Sequence, residues 1–172
     1  MRGWLAALLI ATPAWADPTL TCLADPLEQE AAAKAAFHRD MAAIIAEKAP
    51  EHAELARLSA GYQGALAERR VARIVHLLEA DPGRLPDPNA FRAFGWNEAD
   101  EVVLTASDPS YGVLTARVQA LEAESEGHPG WPALRAVMRG RLETDPAYTT
   151  LLRDFTAELG GVRTAIASCF GG

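Results

Sequence analysis

Along most of the chain apolar side chains recur every three or four residues, the repeat of a helix with one buried face. Leu27, Ala31, Phe37, Met41, Ile44 and Ile45 form such a stripe and predict a helix from about Pro26 to Ala49. Leu55, Leu58, Tyr62 and Leu66 predict a second from about Glu51 to Ala80, in whose later half Val71, Ile74, Val75 and Leu78 face another direction. Gly61 and Gly64 interrupt it, each at about 1 kcal/mol relative to alanine, and mark a kink or a close helix approach. A short helical segment is expected from about Pro88, broken at Gly95, and another after Asn97. Pro109 to about Glu126 follows with Tyr111, Leu114, Val118 and Leu121 inward. After the turn at His128-Pro129-Gly130-Trp131, Leu134, Val137, Met138 and Leu142 predict a helix from Pro132 to about Glu143. The last helix, Pro146 to about Ser168, has the clearest pattern. Tyr148, Leu152, Phe155, Leu159, Val162, Ile166 and Cys169 alternate by four and three, as in a coiled-coil seam. Strand character is confined to Val102-Val103-Leu104, behind acidic helix formers.

Asp-Pro pairs punctuate these segments at 17–18, 25–26, 81–82, 87–88, 108–109 and 145–146. Aspartate at a helix N-cap accepts hydrogen bonds from free backbone N–H groups, and proline at the first helical position lacks an N–H that would go unused. The pairs at 25, 87, 108 and 145 are therefore expected to start helices, and Asp81-Pro82, followed by Gly83 and Pro86, to end one. Leu78-Glu79-Ala80-Asp81-Pro82 and Leu142-Glu143-Thr144-Asp145-Pro146 look alike, and their ending is similar to that of tetratricopeptide repeats. No constant period joins them, so the likeness is one of capping chemistry. The fold class expected is all-α: a single-domain antiparallel bundle of five to seven helices over residues 17–172.

Residues 1–16 carry the marks of a cleaved signal peptide. Arg2 supplies the positive end, Leu5 to Ala11 a short apolar run, and Ala14-Trp15-Ala16 a small-residue cleavage site ahead of Asp17. The apolar run is far short of the roughly 20 residues that span a bilayer, and the mature chain is expected to hold no transmembrane segment. Only Lys34 and Lys48 are lysines among 16 basic residues. That bias towards arginine and alanine suggests a GC-rich bacterial genome, and with the signal peptide it places the protein in a periplasm. Cys22 and Cys169 would then meet oxidising conditions, where pairing is the default. Lipidation of Cys22 is the rival chemistry, against a poor lipobox at Thr19-Leu20-Thr21. A disulfide would bring the start of the first helix to the end of the last and make them antiparallel.

Acidic residues number 23 against those 16 basic ones, a formal charge of −7, which disfavours nucleic acid as a partner. His38, His52, His76 and His128 show no ligand spacing, and no metal or cofactor is expected. Asp100 and Glu101, and Glu122, Glu124 and Glu126, read as solvated faces; no catalytic pair or triad stands out. Arg69, Arg70 and Arg73 are the clearest local anomaly. Arg69, Arg73 and His76 fall on the side of Tyr62 and Leu66, where arginines receive an anion or pair with neighbouring carboxylates. Arg135, Arg139 and Arg141 offer the same choice. Trp131 is either a staple at a helix start or an exposed grip for a peptide or glycan. Candidate binding residues are thus Arg69, Arg73, His76 and Trp131. The function expected is an exported, non-catalytic binding or scaffolding module of the cell envelope. Its partner would be another envelope protein, a peptide or a small anion. A small-anion carrier using the Arg/His face, and an envelope hydrolase assembled from distant residues, are the alternatives.

Overall fold

Two long helices form the spine of the molecule, α1 at Pro18–Lys48 and α2 at Ala53–Ala80, joined by a 3₁₀ turn at Pro50–His52. The computed structural model describes residues 18–81, 84 and 95–169. Residues 1–16 and the helix start expected at Asp87-Pro88, with its segment to 94, lie outside these. Four shorter helices complete the described chain: α3 at Glu98–Ser107, α4 at Pro109–Ser125, α5 at Trp131–Val137 and α6 at Pro146–Ser168. A π-helical turn at Met138–Leu142 continues α5. No strand occurs among the described residues, and Val102-Val103-Leu104 lies inside α3.

Side-chain caps set the starts of α3, α4 and α6. Asp108 accepts from the Ser110 N–H at 2.8 Å, and Asp145 from those of Ala147 and Tyr148 at 2.8 and 3.2 Å, with Pro109 and Pro146 at the first helical positions. Asn97 and Asp100 form a reciprocal capping box on α3. The Asp25-Pro26 expectation fails: α1 begins at Pro18 and runs through Pro26, so Cys22 lies within the helix rather than ahead of it. Burial overrides the local signal there. Leu23 and Leu27, a turn apart, are both fully buried against Ile74, Leu77, Val162 and Ile166. Each such leucine contributes about 1.5–3 kcal/mol, enough together to outweigh a proline inside the helix.

Neighbouring helices run antiparallel. Cys22 pairs with Cys169 in a disulfide, Cα to Cα 5.7 Å, and Phe37 stacks on Phe155 at 4.2 Å, so α6 descends as α1 rises. That bond joins the ends of the bundle and engages the Cys22 sulfur that lipidation would need. Glu30 meets Arg70 and Ala35 meets Gly64, which sets the register of α1 on α2. Arg73 meets Tyr111 and Tyr62 meets Glu122, which lays α4 along the other side of α2. The lateral order is therefore α6, α1, α2, α4. A second core lies at the hairpin's closed end, where Leu134 and Leu142 cover Met41, Ile45, Leu55 and Ala56. One seam position of α6 departs from expectation: Leu152 is 42% exposed, and Leu151 turns inward instead. At 3.6 residues per turn a strict four-three alternation drifts, and Leu152 falls at the edge of the buried face.

Candidate functional site

Two places on the α2 side of the bundle bring polar chemistry together. The first is built around Glu101 on α3. Its Oε2 accepts from Arg73 Nη2 at 2.7 Å, Trp96 Nε1 at 2.8 Å and the Tyr111 hydroxyl at 2.7 Å. Arg73 Nε donates to that same hydroxyl at 2.8 Å, and its guanidinium lies 5.0 Å from the Trp96 ring centre. His76 meets the Trp96 ring edge-on at 5.8 Å. Burial alone would raise the Glu101 pKa. Hydrogen bonds from Tyr111 and Trp96, with the Arg73 charge, outweigh it and hold the carboxyl below its ordinary value. Beside it, Arg84 grips Asp100 through both guanidinium nitrogens at 2.7 and 2.6 Å and also donates to the Gly95 carbonyl. Asp100 and Glu101 are thus not a solvated face: Arg73 of α2, Tyr111 of α4 and Trp96 just ahead of α3 surround Glu101, and Arg84 holds Asp100.

A shallow hollow of about 420 Å³ opens here, lined by Arg69, Arg73, Trp96, Glu101 and Thr115 among others. The structure therefore brings Arg69 and Arg73 together, with His76 against the same indole. Arg73 is matched by Glu101, and Arg70 by the buried Glu30 at 2.8 Å. Arg69 alone of the three makes no hydrogen bond or ion pair among the described residues. Trp131 stands apart, packed against the closed-end core with its Nε1 donating to the Ser125 carbonyl at 2.7 Å.

The second place is a groove of about 570 Å³ along the α1/α2 seam, with α4 at its edge. Ala42, Ala60 and Gly64 form a buried floor, and Ala43 and Gly61 line the walls. A Cβ on Gly64 would meet that of Ala35 at 3.6 Å, so small residues here let the two helices approach closely. The exposed rim carries Arg39, Arg57 and Arg117 against one acid, Glu68, which Arg117 meets at 3.4 Å. Sequence reading marks Gly61 and Gly64 but misses Arg39 and Arg57. Small residues at helical spacing on both α1 and α2 were the available signal, but alanine does not reveal which of its faces is open. Among the described residues no three of His, Cys, Asp and Glu converge as a metal-binding set. Neither a family model, nor a curated protein, nor a solved structure matches this chain.

Proposed function

We propose that the protein is an exported, non-catalytic binding or scaffolding module of a bacterial cell envelope, working in the periplasm after removal of residues 1–16. The observation that carries this reading is the α1/α2 groove, an apolar floor with a cationic rim in a chain of net charge −7. Its size falls within the usual range of ligand sites. The Cys22–Cys169 bond supports an oxidising compartment. Among the described residues no helix is long and apolar enough to cross a membrane. The charge, apolar run and cleavage site of residues 1–16 support export. The anion-carrier alternative is weakened because Glu101 already engages Arg73.

Native mass spectrometry of the protein isolated from its own cell envelope tests the reading. The expected species starts at Asp17, is two hydrogens lighter than the reduced chain, and carries a partner that is lost when Ala43→Trp plugs the groove. A full-length reduced chain, or a partner content unmoved by the plug, overturns it.

A further inference from the structure

We infer that the α1/α2 groove receives an amphipathic helix of a partner protein, with acidic side chains on both flanks of its apolar stripe. The inference rests on the binding-module reading and names the occupant. Three features of the groove lead to it: its length, the placement of its charges and the size of its floor residues.

The lining residues of α1 run from Ala35 to Ala46. At 1.5 Å per residue that is roughly 16 Å, or three turns of a helix laid alongside. The register set by Ala35 on Gly64 places Arg39 opposite Ala60, and Ala42 opposite Arg57. Two arginines therefore face the groove from opposite banks near its mid-length, with the buried Ala42 and Ala60 between them. Among the described residues neither Arg39 nor Arg57 has an ion-pair or hydrogen-bond partner, and Arg117 is held only by Glu68 at 3.4 Å. Acids outnumber bases in this chain, so an unmatched cationic rim marks the complement of an external anion.

The position of the charges selects the kind of anion. An amphiphile with one anionic head needs its cation at one end of a groove and bare apolar wall beyond. Here the two unmatched cations, Arg39 and Arg57, stand mid-way and on both sides, and only Arg117, held by Glu68, lies towards one end. A helix with Asp or Glu on each flank meets both banks at once, with its small apolar residues on the floor. Alanine and glycine underneath allow its backbone to come close, as ridge-in-groove contact requires. A second copy of this acidic chain would bring its own arginines to the same face.

The test places a photo-crosslinking residue at position 68, on the exposed end of the groove, in the full chain within its native cells. The crosslinked segment is mapped by peptide mass spectrometry and then synthesised. The expected adduct is a helical segment of another protein with acids on both flanks. The synthetic segment should bind about tenfold more weakly to the folded Arg39→Glu, Arg57→Glu double variant, and the same segment with its acids made amides should bind about tenfold more weakly to the unaltered protein. Circular dichroism checks that the variant, altered only at exposed positions, keeps its helices. An adduct with a second copy, an acyl amphiphile or a segment insensitive to these charges overturns the inference and leaves the binding module standing. Absence of any adduct overturns both.

Discussion

Through one carboxylate oxygen, Glu101 on α3 holds Arg73 of α2, Tyr111 of α4 and the indole of Trp96. Charge-assisted bonds of this kind are roughly twice as strong as neutral ones. Glu101→Gln keeps the shape but leaves Arg73 without its counter-charge and sets an amide donor among donors. It should cost about 1–3 kcal/mol, read from urea unfolding, and shift Trp96 emission towards that of a wetter indole; an unchanged midpoint would show the cluster to be inert. Two other groups, His38 and Glu30, contribute separable parts of the acid response. His38 Nδ1 is buried with no hydrogen-bond partner among the described residues, and burial lowers its pKa. The unfolded chain takes that proton near the ordinary value of about 6.5, before the folded chain does. Stability therefore falls as pH drops below about 6.5, until the folded imidazole is protonated too. For Glu30, burial raises the pKa, but the hydrogen bond from Lys34 and the charges of Arg70 and Lys34 outweigh it and hold it low. Its stabilisation is complete above the ordinary glutamate value of about 4.3 and is lost as pH falls through the lower folded one. Unfolding free energy measured from pH 7 downward should thus fall in two stages, with His38→Phe removing only the upper one. A flat profile between about pH 7 and 5 would sink the histidine assignment.

At the scale of elements, close approach of α1 to α2 depends on what the facing positions lack. Gly64 is buried with the Ala35 Cβ 3.6 Å from where its own would stand, whereas Gly61 has only the Leu121 Cδ2 at 3.9 Å. Gly64→Leu should therefore drive the helices apart and cost about 1–3 kcal/mol as overpacking. Gly61→Ala should be tolerated, or stabilise by up to about 1 kcal/mol through helix propensity. Thermal unfolding of the pair decides it, and equal effects would mean that the glycines serve a kink rather than a contact. The same two helices show what periodicity and capping can convey. The Asp108 and Asp145 caps, the end of α2 at Ala80 and the inward face of α6 were legible because each follows from local geometry. The first two turns of α1 were not, because Leu23 is held by α2 and α6, which no local pattern announces. Glu101 was illegible for the same reason: its donors lie 5, 10 and 28 residues away. The groove was half legible, as small residues whose purpose is visible only once their neighbour is known.

At the scale of the molecule, the lateral order α6, α1, α2, α4 leaves α6 touching the bundle mainly through α1, so its hold depends on one seam and one covalent bond. The bond spans 147 residues of sequence. In the chain-entropy account, closing so long a loop in the unfolded state is worth about 4–5 kcal/mol, as an upper value. The non-covalent seam remains without it: Val162 and Ile166 stay buried against Leu23 and Leu27 near the bond, and Phe37 on Phe155 further along. Cys22→Ser should therefore lower the melting temperature by many degrees while leaving helix content unchanged. Hydrogen exchange should quicken first in α6 and in α1 before Leu27, with α2 and α4 following only near global unfolding. Equal melting of the oxidised and reduced forms would show that the seam alone closes the bundle. Loss of helix throughout the reduced chain would show instead that α1 and α2 cannot hold their hairpin without α6. Because the groove lies on the α2 side of α1, the first outcome leaves it open to a partner in either redox state, and the second makes that partner's binding conditional on the bond.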